Sequence, residues 1–482
     1  MKTTPMQHQE VGADLLAANP KYYALGCEQG TGKTWMLIDD AERQYNAGLI
    51  DALLVIAPKG VHTNWIRREI PKHASVPIES AAYFSGSGKK KKAAVERLFR
   101  KHDALVVLSM NVDAVNTIEG RRIARKFLLT HRTMMVIDES SRIKTPTSAR
   151  TKHLIDLGTD AVSRRIASGT PITNSPTDIF AQFEFLRSGL LGTRSYRAFV
   201  AEFAEVLPEG HPLLVAIMAK SRSKITPQVI ARDSNGFPRF RNLDKLRKLI
   251  EPYMYRVLKR DCLDLPEKIY QTRDFELTAA QRKTYDDLNA KLRIEWDDGT
   301  LDAFDALTKI TKLQQVTSGF IMRDGEATVL PRAADNPRLE LLRDILQDNE
   351  LPVIIWARFR EELSQIAELC EEIGIAAAQY NGATSTKARE AAVDDFQSGA
   401  IQAFIGQPQS GGIGLTLTAA RSVIYYSNDY SLETRLQSED RAHRIGTTGN
   451  VLYIDLVAEG TIDERIADSL QRKEATAAAI LD

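Results

Sequence analysis

Short, unbroken apolar runs recur along the first third of the chain. Ala52-Leu53-Leu54-Val55-Ile56-Ala57 stops at Pro58. Ala104-Leu105-Val106-Val107-Leu108-Ser109 and Thr133-Met134-Met135-Val136-Ile137-Asp138 repeat the pattern. Runs without polar alternation are expected of strands buried on both faces of a parallel sheet. Helical periodicity fills the gaps, as from Thr34 to Ala47 and from Lys90 to Arg100, so the pattern predicts α/β organisation. From about Phe183 to Glu350 it becomes mainly helical. Breaks fall at Phe237-Pro238-Arg239-Phe240, Leu265-Pro266 and Leu330-Pro331, and turns at Asp297 to Gly299 and Asp324-Gly325.

The α/β alternation returns near residue 336. Leu351-Pro352-Val353-Ile354-Ile355-Trp356 reads as a strand and Glu361 to Ile373 as a helix. Ala376 to Tyr380 ends in the turn signal Asn381-Gly382. Further strands are predicted at Ile401 to Gly406, Ser422 to Tyr426 and Val451 to Val457, with a closing helix from near Ile462. The predicted domains are an N-terminal α/β lobe over 1–235 with a helical insertion from near 183, a helical linker over 236–335, and a C-terminal α/β lobe over 336–482.

Composition narrows the class. The 482 residues, 43 % of them hydrophobic, suffice for two or more packed cores. No apolar run approaches the roughly 20 residues that span a bilayer. No apolar signal segment follows Met1-Lys2-Thr3-Thr4-Pro5, which predicts a cytoplasmic protein. Cys27, Cys262 and Cys370 have no paired spacing, so neither a zinc site nor a disulfide framework is read. A net charge of +1 excludes a wholesale basic binder but not a local basic track. Lys89-Lys90-Lys91-Lys92 is the densest basic patch, readable as a solvated helix start or as a phosphate-backbone contact.

The chemistry lies in widely separated segments. Gly30-Thr31-Gly32-Lys33-Thr34 follows the strand-like Tyr22-Tyr23-Ala24-Leu25 and precedes an apolar helix. Its backbone amides would cradle phosphate oxygens, Lys33 would meet the β- and γ-phosphates, and Thr34 would ligate Mg²⁺. The full Gly-x4-Gly-Lys-Thr form would carry glycine where this chain has Cys27. Asp138-Glu139 closes an apolar strand, Asp138 placed to hold Mg²⁺ and Glu139 to polarise the attacking water. Ser168-Gly169-Thr170-Pro171 offers small hydroxyl residues that could relay loss of the γ-phosphate. Near the C-terminus Arg441 and Arg444 stand three apart, a spacing that puts both on one helix face. From there they would reach the γ-phosphate across a lobe interface that Gln437 helps to orient. ATP and Mg²⁺ are the expected ligands.

These segments, with others between them, resemble the SNF2 family of superfamily 2 helicase-like ATPases. The resemblance runs from Gln9 to about Ile466. Pro5 to Gln9 looks like the family's glutamine element, with Gln9 reading adenine. Ala57-Pro58-Lys59 through Asn64-Trp65 to Glu69 resembles motif Ia, and Val107 to Asn111 stands at motif Ib. Asp138-Glu139-Ser140-Ser141-Arg142-Ile143-Lys144 is similar to the family's Asp-Glu-x-x-Arg-x-Lys stretch, where most members carry Ala-His at the two serines. Ser168 to Pro171 resembles motif III. Tyr255 to Arg260, Leu265-Pro266-Glu267-Lys268 and Leu313 to Val316 resemble the bridge elements. Trp356 to Phe359, Asn381 to Thr384 with Arg389, Gln409 to Leu417 and Gln437 to Gly446 stand at the later motifs. Thr447 replaces the usual glutamine.

The resemblance implies two RecA-like lobes with parallel sheets and a DNA-stimulated ATPase tracking on double-stranded DNA. It places Lys59, Asn64, Ser109, Thr170, Gly382, Ser410 and Gly411 at the nucleic acid, and Gly414 beside the nucleotide. No bromodomain, chromodomain, zinc or RING module is read, which resembles the nearly bare motors of phages and bacteria. The expectation is a monomeric motor, in the host cytoplasm if phage-encoded, taking its specificity from a protein partner. The alternatives are a strand-separating or strand-annealing helicase on DNA or RNA, and a non-enzymatic ATP-gated clamp or adaptor. The clamp predicts damage to Lys33, Asp138, Glu139 or the two arginines, and all are present.

Overall fold

The computed structural model describes all residues except 87, 221–225, 298–302, 324–325, 331–335, 349–351 and 410–414. The turn read at Asp324-Gly325 and the site candidates Ser410, Gly411 and Gly414 lie outside the described residues. The chain forms two compact units. The first comprises Met1–Val206, Ile230–Asp264 and Lys473–Asp482, the second Leu207–Val229 and Leu265–Arg472.

The first unit is built on seven strands: β1 (Tyr22–Leu25), β2 (Ala52–Ala57), β3 (Ile78–Tyr83), β4 (Leu105–Asn111), β5 (Thr133–Asp138), β6 (Ser163–Ala167) and β7 (Met254–Tyr255). Their order is β3-β4-β2-β5-β6-β1-β7, and every pair is parallel. The unbroken apolar runs follow from this arrangement, because successive strand residues face opposite sides of the sheet. In β2, Ala52, Leu54 and Ile56 enter one core with Phe127, Leu154 and Phe183. Leu53, Val55 and Ala57 enter the other with Met36, Leu37 and Trp65. Both faces are covered, so neither set of positions is free to be polar.

One polar pair interrupts these cores. Arg165 on β6 and Asp40 on the helix Lys33–Asn46 are both fully buried and 2.8 Å apart. Arg165 also donates to the carbonyl of Leu16 in the helix Gln7–Ala18, and Gln44 donates to Asp40. The pair fixes the helix that follows the phosphate loop to the sheet.

The second unit repeats the plan with β8 (Lys268–Phe275), β9 (Phe320–Arg323), β10 (Glu326–Val329), β11 (Val353–Trp356), β12 (Ala377–Tyr380), β13 (Ala403–Gly406), β14 (Ser422–Tyr425) and β15 (Val451–Ala458). Six of these form a parallel sheet ordered β12-β13-β11-β14-β15-β8, while β9 and β10 pair antiparallel. Residues of β11 again divide between two cores, Val353 and Ile355 to one, Ile354 and Trp356 to the other.

The reading of 236–335 as a helical linker needs correction. β7 joins the first sheet, and β8 pairs with the whole of β15, Lys268 opposite Val451 through Phe275 opposite Ala458. The helices Leu243–Ile250, Lys259–Cys262, Ala279–Asp297 and Ala303–Thr317 account for the helical part. β8 escapes a hydrophobicity reading because it is an edge strand with only Phe275 buried, so it carries no apolar run.

Arg165→Leu should leave Asp40 as an uncompensated buried charge and destabilise the first unit by about 3–5 kcal/mol. Urea denaturation followed by circular dichroism measures this, and unfolding at the wild-type midpoint would contradict it.

Candidate nucleotide site

The phosphate loop leaves β1 at Leu25 and enters the helix Lys33–Asn46. Gly30 and Gly32 have φ of 82° and 87°, in the left-handed region that side chains disfavour. A Cβ on Gly32 would also collide with the Gln9 amide. The Lys33 ammonium donates to the carbonyls of Cys27 (2.9 Å) and Glu28 (3.1 Å), holding it across the loop. Gln9 is buried against the same loop, its amide donating to the Thr31 carbonyl at 3.2 Å and accepting from the Met6 N–H at 3.0 Å. His8 meets the same Thr31 carbonyl at 2.7 Å.

The departure at Cys27 has a packing explanation. Its side chain is fully buried in the core with Leu25, Leu37 and Val257, and the thiol donates to the Tyr255 carbonyl. A side chain fits there, so glycine is not required. Burial pushes the Cys27 thiol up to about 12, only partly offset by the Lys33 and Arg256 charges.

Asp138 is the last residue of β5. Its Oδ2 accepts the indole N–H of Trp65 at 2.8 Å, and its Oδ1 accepts the Glu139 N–H at 3.1 Å. Burial raises the Asp138 pKa, while the Trp65 hydrogen bond, the Lys33 charge and the Glu139 N–H oppose that rise. Glu139 adopts φ 56° and ψ 62°, left-handed for a residue with a side chain. Its Oε2 lies 3.4 Å from the Ser168 hydroxyl.

The Ser168–Pro171 segment, reached from β6, lies against the phosphate loop. A Cβ on Gly169 would stand 2.8 Å from Gln29 Cγ. Arg256 donates to the carbonyls of Gly26 (2.6 Å) and Gly169 (3.3 Å), and the Lys259 N–H donates to Glu28 at 2.8 Å. Sequence reading missed this role of the 255–260 segment; Arg256 was the available signal, since Lys259 acts here through its backbone N–H. Phosphate loop, Asp138-Glu139 and Ser168–Pro171 thus gather at the C-terminal ends of the adjacent strands β1, β6 and β5, where parallel α/β sheets take their ligands.

The donor set fits Mg²⁺ bound with a nucleotide: one hydroxyl at Thr34 and one buried carboxylate at Asp138, the remaining positions going to phosphate and water. Among the described residues no group of three or more His, Cys, Asp or Glu side chains could hold a metal by itself.

In the second unit the helix Leu432–Ala442 is capped by Ser431, whose hydroxyl accepts the Thr434 N–H. Arg444 lies beyond its end, so the expectation that both arginines share one helix face is corrected. Thr447 accounts for the stop: its hydroxyl donates to the Ala442 carbonyl at 2.7 Å and accepts the Arg444 N–H at 3.2 Å. The two guanidinium groups are nevertheless brought together, both facing the Leu415 carbonyl, at 3.5 Å for Arg441 and 3.3 Å for Arg444. Gln437 donates to Glu433 one turn earlier.

An acidic anchor that the sequence reading missed holds this helix. Glu439 is buried and accepts from Lys268 (3.0 Å), Tyr270 (2.8 Å) and Arg435 (2.7 Å). Burial alone would raise its pKa, but Lys268 and Arg435 hold it down to about 2. His443 meets the Pro266 carbonyl at 2.7 Å, so the Leu-Pro-x-Lys segment acts as a brace for this helix.

The nucleic-acid candidates divide. Lys59 and Gly382 are exposed and Asn64 is half-buried. Ser109 is fully buried and donates to the His62 carbonyl at 2.7 Å, so its side chain is committed inside the fold. Thr170 is buried, with its hydroxyl unpartnered.

Two family models match most of the chain. The family model described as SNF2-related domain matches residues 23–319, and that described as Helicase conserved C-terminal domain matches 337–446. Protein CHROMATIN REMODELING 24 of Arabidopsis thaliana is 27 % identical over 92 % of this chain and 43 % of its own length. DNA excision repair protein CSB of Oryza sativa subsp. japonica is 26 % identical over 92 % of this chain and 38 % of its own. The chain thus spans under half the length of these curated relatives. A solved Sulfolobus solfataricus SWI2/SNF2 ATPase core in complex with dsDNA is 22 % identical with a TM-score of 0.42, covering 100 % of this chain and 94 % of that one. No helix among the described residues is long and apolar enough to cross a membrane.

The depressed Glu439 pKa sets a pH dependence. Its contribution is present above the unfolded value of 4.5 and lost as pH falls toward about 2. Glu439→Gln should cost the second unit roughly 3 kcal/mol at pH 7 and flatten the loss of stability between those pH values. Denaturant titrations of both proteins across the acid range test this; parallel curves would contradict it.

Proposed function

The chain belongs to the SNF2-related family, and from that premise we propose that it is an ATP-dependent, DNA-stimulated translocase moving along double-stranded DNA. The observation that carries the reading is the gathering of the phosphate loop, Asp138-Glu139 and Ser168–Pro171 at adjacent strand ends. These are the parts phosphoryl transfer needs. Charge on the transferring group is stabilised by positioned donors, and the nucleophile is oriented rather than covalently activated.

In this reading the loop amides and Lys33 bind the phosphates, and Gln9 reads adenine. Bound Mg²⁺, with Thr34 and Asp138 as its protein ligands, supplies charge neutralisation. Glu139 orients and polarises the attacking water. Arg441 and Arg444 stabilise the departing phosphoryl charge, with Gln437 orienting that element, and hydrolysis is thereby coupled to lobe closure. The names of the two relatives, a DNA repair protein and a chromatin remodelling protein, support DNA as the track. Lys59, Asn64 and Gly382 are accessible enough to contribute to it. Thr170 contributes through its loop and Ser109 only through its backbone; Ser410 and Gly411 are proposed contacts to the DNA, and Gly414 is proposed to lie beside the nucleotide. A protein partner gives this monomeric motor its specificity.

ATPase rates without nucleic acid and with single-stranded DNA, duplex DNA, forked DNA and RNA test the substrate. Strong duplex stimulation is expected, with displacement of a triplex-forming strand and no strand separation in gel assays. Stimulation by RNA alone would reject the reading. Glu139→Gln and Arg444→Ala should each lower turnover at least a hundredfold while ATP binding is largely retained, and Lys33→Ala should weaken binding itself. Normal turnover in all three would remove the site assignment.

A further inference from the structure

The Asp138-Glu139 loop is bolted to the Ser168–Pro171 loop by a side chain on a third element. Ser140 donates its hydroxyl to Gln182 Oε1 at 2.6 Å. Gln182 in turn donates from Nε2 to the Pro171 carbonyl at 2.6 Å and to the Asp178 carbonyl at 2.9 Å. Ser140 is 1 % exposed and Gln182 fully buried, so water does not compete for these bonds.

Gln182 is out of character with its surroundings. It sits on the helix Ile179–Leu186, among Phe180, Phe183, Phe185 and Leu186, which all enter the apolar core. An amide buried there is costly unless fully bonded. Packing alone would be served by an aliphatic residue. The amide instead matches one donor, Ser140, and one acceptor, Pro171, on the two loops that flank Glu139, and a second acceptor, Asp178, at the start of its own helix.

Glu139 needs such a constraint. A left-handed residue with a side chain persists only where its surroundings over-determine it. The Glu139 N–H is held by Asp138, and its carbonyl by the Arg142 N–H at 3.0 Å. The next residue, Ser140, is held by Gln182. A parallel tie runs from Lys144 to Thr173 at 2.6 Å and from Thr173 to Asp178 at 3.0 Å.

We propose that Ser140 and Gln182 are positioning residues that fix the aim of Glu139 and transmit movement of the Ser168–Pro171 loop to it. The proposal rests on the reading of Glu139 as the residue that polarises the attacking water. Breaking the bridge should relax Glu139 and uncouple it from the Ser168–Pro171 loop, leaving the phosphate loop intact. The expected signature is a kcat effect without a KM effect, which loss of packing would not produce.

The test compares wild type with Ser140→Ala, Gln182→Leu and the double variant, with Glu139→Gln as reference. The double variant spares the Ser140 hydroxyl that Gln182→Leu alone would strand, while Ser140→Ala keeps the Gln182 bond to Pro171, so the variants differ in the groups they leave unsatisfied. Melting temperature and binding of a fluorescent ATP analogue are read alongside duplex-stimulated ATP hydrolysis. The expected result is a ten- to hundredfold fall in stimulated kcat, with unchanged KM and analogue binding. The double variant should be no worse than either single one. A double variant with wild-type kcat and wild-type stimulation would overturn the proposal, provided Glu139→Gln is inactive. If Glu139→Gln turns over normally, the reading of the site fails instead. Should the double variant melt, Ser140→Ala alone, lacking one hydroxyl, carries the same expectation and the same refutation.

Discussion

The hydrogen bond from the Trp65 indole to the Asp138 carboxylate is the contact on which the first unit's chemical end depends. Asp138 closes a central strand whose other residues are all buried, so its charge faces little solvent. Burial there raises the pKa of a carboxylate. Trp65, the Lys33 charge and the Glu139 N–H oppose that tendency. Because Trp65 lies beyond β2, next to Asn64, the same bond sets a candidate nucleic-acid segment against the candidate metal ligand. Phosphate loop, strand end and the candidate nucleic-acid segment are thus tied to one buried charge.

The second unit solves an equivalent problem with the opposite result. Glu439 is as deeply buried, but two cations and a phenol surround it, and its carboxylate is held strongly ionised. One partner, Lys268, comes from an edge strand, and another, Arg435, from the same helix. Arg435 also pairs with Asp455 on β15 and stacks 3.5 Å from the Tyr425 ring centre. The helix bearing Arg441 is therefore fixed at several points to the sheet beneath it, and a rigid mount is what positioned charge requires.

Much of this was legible in the chain. β2 and β5 appear at the residues their apolar runs predict, because a strand covered on both faces has no freedom to be polar. Asp138 falls at the strand end for the same reason. β8 was not legible, since it is held by backbone pairing with residues about 180 positions away rather than by its own side chains. Spacing placed Arg441 and Arg444 on one helix face, but the Thr447 hydroxyl folds back on Ala442 and Arg444 and halts the helix between them, a local bond that periodicity does not register. Ser109 was placed at the nucleic acid by the resemblance to motif Ib, and only the fold shows its side chain committed to the His62 carbonyl. Gln182 carried a signal, a lone amide in an aromatic helix, whose meaning needed its two partner loops.

Cys27 gives the phosphate loop an unexpected chemical durability. Alkylating reagents and peroxides attack the thiolate, and a thiol buried among Leu25, Leu37 and Val257 with its pKa near 12 supplies almost none at neutral pH. A sulfur atom directly preceding Glu28 is thereby kept out of redox chemistry. Cys27 itself should therefore resist alkylating reagents that modify exposed, ionised thiols.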